Sequence, residues 1–140
     1  MWSFQHSVEC NASREFAWQF WTNFSNWSVV DPSVESVTLD GPFATGTKGT
    51  TKPSGMDLVV WELIDVLEYH SAVIEIPAPG AVLKSVWSFE DTDDGGTLMT
   101  QRASIEGERA DDYAAMCAMM EQGMPQAMRR MAEAIVQSHD

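Results

Sequence analysis

Four methionines, Met116, Met120, Met124 and Met128, recur at every fourth residue near the carboxyl end of the chain. Met131 and Ile135 carry the stripe onward in steps of three and four. Only a helix brings residues at those spacings onto one face. Counted from Asp111, the pattern predicts an amphipathic helix about 25 residues long. Asp111 and Asp112 suit its amino end by capping and by dipole, and Arg129 and Arg130 fall in its second half, where positive charge is favoured. Pro125, within Gly123-Met124-Pro125, removes a ladder donor and predicts a kink midway. So long an apolar stripe must be laid on a second layer, and the rest of the chain has to supply it.

Upstream the period is two. Trp2, Phe4, His6, Val8 and Cys10 alternate with Ser3, Gln5, Ser7 and Glu9, which predicts a half-buried strand. Ser13 then serves as a helix N-cap. Phe16, Phe20 and Phe24, with Ala17 and Trp21 beside them, predict a helix of two to three turns. A second short helix or turn over Asn23 to Trp27 is closed by Asp31-Pro32. Six strand-like runs follow: Val34 to Leu39, Gly46 to Thr51, Leu58 to Leu67, His70 to Ile76, Ala81 to Glu90 and Thr97 to Ile105. Turn residues separate them: Asp40-Gly41-Pro42, Pro53-Ser54-Gly55, Pro77-Ala78-Pro79-Gly80 and Gly95-Gly96, with Gly107 after the last. Strands joined by short turns favour an antiparallel sheet, whose concave face is the natural bed for the methionine helix.

Charge and length narrow the function. Eight Lys and Arg against 21 Asp and Glu give a formal charge of -13 over 140 residues. That balance repels phosphate backbones and anionic lipid, so neither nucleic acid nor a membrane surface is an expected partner. No run approaches the ~20 apolar residues of a membrane span. The first ten residues lack the basic and apolar regions of a signal peptide, so the expected compartment is the cytoplasm, with Cys10 and Cys117 as free, buried thiols. No repeat or linker divides residues 1–140, which read as one domain.

Several local features occur together: Ala12-Ser13 at a helix start, the aromatic run Trp18 to Trp21, Asn26-Trp27, Asp31-Pro32, Gly41-Pro42 and Gly46-Thr47. Later come Trp87-Ser88-Phe89-Glu90, Gly95-Gly96-Thr97 and Gly107. This set resembles the polyketide cyclase/dehydrase group of the START-like, or SRPBCC, superfamily. The resemblance spans most of the chain and rests on turns, caps and core aromatics, which mark fold more than chemistry. It implies an α+β helix-grip (Bet v 1-like) fold, in which a seven-stranded antiparallel sheet wraps a long carboxyl-terminal helix and two short helices follow the first strand. It also implies an apolar cavity between sheet and helix. Members of the family bind or transform lipids, sterols, polyketides and plant hormones, and others are co-chaperones. They share no universal catalytic residue, so none is carried over.

The residues themselves nominate a ligand site. Met116, Met120 and Met124 would form a deformable wall, since thioether chains fill irregular space. Trp61, Trp87 and Met99 are the candidates on the sheet side. His6, on the apolar parity of the first strand, is a candidate polar anchor or proton shuttle. Gln101 shares the parity of Met99 and would donate to a ligand oxygen, whereas Arg102 has the opposite parity. Each of these positions also has a plain reading, as core packing for the methionines and tryptophans and as a locally satisfied side chain for His6. His70 and His139 receive no role. No HxH, HExxH or CxxC spacing points to a metal, no nucleotide or phosphate motif points to a cofactor, and Glu90-Asp91-Asp93-Asp94 reads as a solvated turn. The expected function is therefore binding of a small hydrophobic or aromatic ligand, lipid or polyketide-like, in an internal cavity. A cyclase or aromatase would need an acid–base pair, for which His6 with Glu62 or Asp65 is what the chain offers. A co-chaperone-like module would have a filled cavity and an exposed apolar patch. A homodimer without a ligand also stays open.

Overall fold

The structure is a computed structural model and describes residues 2–30, 34–53, 55 and 58–139. In chain order the elements are β1 (Trp2–Cys10), α1 (Arg14–Thr22), α2 (Ser25–Val30), β2 (Val34–Leu39), β3 (Lys48–Pro53), β4 (Val59–Leu67), β5 (Ser71–Ala78), β6 (Ala81–Asp91), β7 (Thr97–Glu106) and α3 (Ala114–His139). A 3-10 turn, Ala110–Tyr113, leads into α3. The strands form one antiparallel sheet in the order β1-β7-β6-β5-β4-β3-β2, so the first strand lies beside the last. This is the helix-grip arrangement. The Asp31-Pro32 turn and Ser54 lie outside the described residues.

Register puts one parity of each strand on the concave face. On β6 that parity is Ala81, Leu83, Ser85, Trp87 and Phe89; on β7 it is Thr97, Met99, Gln101, Ala103 and Ile105. α3 does not lie over the middle of the sheet. It runs along β1 at one edge, held where Trp2 Nε1 donates to Glu121 Oε1 at 2.8 Å and Cys10 Sγ reaches the Ala132 carbonyl at 3.7 Å. The two contacts fix α3 in the same sense as β1. α3 thereby leaves the concave face of the central strands uncovered, except at the Trp87 and Phe89 end that α1 meets.

Two apolar clusters close the ends of the space so formed. At one end α1 packs Ala17, Trp18 and Trp21 against Phe89, Met99, Met131 and Ile135. At the other Ala81, Ile105, Ala110 and Cys117 meet beneath the start of α3. Tyr113 Oη donates to the Pro79 carbonyl at 2.7 Å and pins the entry to α3 onto the β5–β6 turn.

Several local expectations are corrected. The buried face of α1 is Ala17, Trp18 and Trp21, while Phe16 and Phe20 are only half-buried. α1 ends at Thr22, so Phe24 is not on it, and the larger indoles take the inward positions. Ser13 does cap the helix, its Oγ accepting from Phe16 N at 3.2 Å. Asp111 and Asp112 lie in the 3-10 turn, and Asp112 instead accepts from Arg109 Nε at 2.8 Å. Pro125 lies inside the single helix α3, as its place in the methionine stripe implies. β5 passes Pro77 and ends at Ala78, before the turn at Gly80.

Candidate functional site

A cavity of about 650 Å³ lies between the concave face and the stretch of α3 from Met116 to Met131. Its floor is Ile74 and Ile76 from β5, Leu83, Ser85 and Trp87 from β6, and Gln101 from β7. Thr51 and Trp61 extend it toward β3 and β4. Trp21 and Trp27 come from the two short helices. Along α3 the wall is Met116, Met120, Met124, Met128 and Met131, with Met119, Gly123, Ala127 and Arg130 at its flank.

Four indoles thus share one cavity and also hold one another. Trp21 lies 5.8 Å from Trp27 and 5.2 Å from Trp87, centroid to centroid, both tilted, and Trp27 stacks on Trp61 at 5.9 Å. Two of their N–H groups are engaged: Trp27 Nε1 donates to the Trp21 carbonyl at 2.6 Å, and Trp61 Nε1 to Thr51 Oγ1 at 2.8 Å. Such fixed donors orient the rings and leave their faces, not their polar edges, for a guest. Trp61 can fold flat because its strand partner is Gly49, where a Cβ would fall 2.4 Å from the indole carbons.

Polar groups are few. Gln101 Nε2 donates to Ser85 Oγ at 2.9 Å, which leaves the Gln101 carbonyl oxygen and the Ser85 hydroxyl proton for a ligand. Among the described lining residues no side chain titrates near neutrality, and Arg130 alone carries charge. Elsewhere, burial pushes the Cys10 thiol up, and burial together with the Glu121 charge pushes Cys117 up, so neither is an activated nucleophile. Among the described residues no group of His, Cys, Asp or Glu is placed to hold a metal ion, and no helix is long and apolar enough to cross a membrane.

Of the candidates read from sequence, Trp61, Trp87, Gln101, Met116, Met120 and Met124 converge on this cavity. His6 and Met99 do not line it. His6 sits on the face of β1 that α3 covers, opposite Gln101 in register but one strand too far toward the helix. Met99 is fully buried beside Phe89 in the end cluster, one inward position beyond the floor. Glu62 and Asp65 fail as partners for an acid–base pair. Glu62 has the opposite parity to Trp61 and Leu63, and Asp65 is exposed past the β4 irregularity. Sequence reading missed Trp21, Trp27, Thr51, Ser85, Gly123 and Arg130. Ser85 shares the parity of Trp87, and Gly123 lies on the methionine face, so both had a signal; the placement of Trp27 depends on how α2 folds back.

Structural comparison gives neighbours of the same fold. Norcoclaurine synthase from Thalictrum flavum, in complex with dopamine and hydroxybenzaldehyde, superposes with a TM-score of 0.76 at 13% identity, covering 99% of this chain and 88% of that one. Ara h 8.0201 gives 0.74 at 11% identity, covering 97% and 98%. The di-domain ARO/CYC StfQ from the steffimycin biosynthetic pathway gives 0.76 at 12% identity, with 98% of this chain matched to 51% of that one. At such identities the likeness is one of fold. No curated protein matches by sequence. The sequence family described as polyketide cyclase / dehydrase and lipid transport matches residues 1–136, and this chain belongs to it.

Proposed function

We propose that the protein binds a small hydrophobic or aromatic molecule in the cavity between α3 and the sheet. The observation that carries this reading is the wall itself: four indoles and a row of thioethers around about 650 Å³. That volume suits a small organic guest, and rings with flexible thioethers match flat and irregular apolar surfaces alike. A guest that buries about 250 Å² of apolar surface gains roughly 6 kcal/mol, of which about 4 or more is spent on its lost freedom. The residue is modest, so the few polar groups decide affinity and orientation. Gln101 and Ser85 fit a ligand carbonyl or hydroxyl.

Binding is favoured over cyclase or aromatase chemistry by the lining. Proton transfer between a guest and the protein is best served by a group that changes charge near neutrality, and the described walls hold amide, hydroxyl, thioether and indole groups and a guanidinium that stays protonated instead. The family's catalytic members keep the enzymatic reading as the rival.

The test is calorimetric titration of 8-phenyloctan-1-ol into the purified protein and into Gly123→Trp, which sets a large ring at the cavity flank. Saturable binding that weakens at least fivefold in Gly123→Trp supports the reading. Absence of saturable binding, or binding indifferent to the substitution while circular dichroism shows the fold kept, would overturn it.

A further inference from the structure

Cations are scarce in this chain, and among the described residues four of the eight are in ion pairs: Arg14 with Asp91, Lys52 with Glu35, Lys84 with Glu75 and Arg109 with Asp112. Arg130 is in none of these pairs and borders the cavity. It is exposed, and Glu133, three residues on, makes no contact with it within ion-pair distance. Met119 and Arg130 are about three helical turns, or 16 Å, apart on one line of α3. Met119 is 72% exposed at one end of that line, the cationic Arg130 stands at the other, and Gly123 offers no side chain between them. The flank of the cavity therefore grades from apolar to positive, while no carboxylate lines its described walls.

Resting on the binding reading above, we infer that the natural guest is an amphipathic monoanion: an apolar ring or chain ending in a carboxylate, whose head meets the Arg130 guanidinium while its body lies on the indoles. A guanidinium presents a forked donor set that matches two carboxylate oxygens. An alcohol of the same shape would satisfy fewer of those donors. An amine would meet a like charge with no counter-ion in the described lining. The overall charge of -13 opposes every anion at long range. That field is screened beyond roughly 10 Å at 0.1 M salt, whereas a direct contact with Arg130, at a few ångströms, is weakened far less.

The experiment compares 8-phenyloctanoate, 8-phenyloctan-1-ol and 8-phenyloctylamine by calorimetry at pH 7.5 in 0.1 M salt. The expected order is carboxylate, alcohol, amine, with the carboxylate roughly three- to tenfold tighter than the alcohol, as for a half-solvated charged contact. In Arg130→Gln the preference should vanish, the carboxylate losing several-fold more affinity than the alcohol. Arg130→Lys should restore part of it, and Arg129→Gln should leave it intact. Equal affinities, a preference for the amine, or a carboxylate preference that survives Arg130→Gln would overturn the inference and leave the cavity reading standing. Failure of all three to bind would overturn both.

Discussion

At the scale of single residues, Gly49 and Trp61 are one feature. They face each other across β3 and β4, and the indole occupies the volume that a side chain at 49 would need. In an ordinary strand, alanine for glycine is favourable by propensity. Here the sign reverses. Gly49→Ala forces the ring off Thr51 and into its stacked neighbour Trp27, at a cost of about 1–3 kcal/mol, typical of overpacking. A lowered urea midpoint with an unchanged slope is the expected result; an unchanged midpoint would show that the ring is free to move. Little of this was legible beforehand. A Thr- and Gly-rich stretch reads as a strand from composition, but that one glycine carries an indole follows only from register. The inward parity of Trp87 and Gln101 was legible, because alternation along a strand survives any placement of the strand in the sheet. The site of His6 was not: parity tells which face a residue takes, and the position of α3 along β1 decides what covers that face.

Among the elements, α3 was the clearest in the sequence, and it differs from expectation chiefly at its amino end. Its methionine spacing predicts the face it buries, and that face does form the cavity wall. Its amino end begins at Ala114 because Ala110–Tyr113 tightens into a 3-10 turn first. α1 was misread in the other direction: phenylalanines four residues apart suggest a stripe, but Trp18 and Trp21 bury more surface and set the rotation of the helix. Gly123 gives α3 a testable asymmetry. A Cβ there meets nothing within 4 Å, so glycine serves no packing need. Gly123→Ala should stabilise the fold by about 0.5–1 kcal/mol through helix propensity alone. A raised thermal midpoint checks it; a lowered one would mean that Gly123 relieves strain beside Pro125, whose missing N–H leaves the Glu121 carbonyl without its usual partner.

Across the whole molecule, apolar packing and electrostatics work against each other. The two end clusters and the indole group hold the sheet to α3, while the four ion pairs lie at exposed or half-buried side chains, where such pairs contribute about 0–1 kcal/mol each. Against them stands an excess of thirteen negative charges. Attraction within a pair acts over a few ångströms, but repulsion among the excess charges sums over the surface and is what dissolved salt screens first. Asp94 does not alter the balance. The Thr92 hydroxyl and the Gly96 N–H hold its carboxyl below the usual range, so its contribution is present above that range and lost only as pH falls through the lowered value. At pH 7 it is ionised in the folded and unfolded chain alike. Raising sodium chloride from 10 mM to 0.5 M at pH 7 should therefore raise the thermal midpoint by several degrees, and potassium chloride should do the same, since screening depends on ionic strength and not on the cation. A midpoint that falls with salt would show that the ion pairs outweigh the repulsion, and a rise with sodium alone would point to a specific cation instead of the general field.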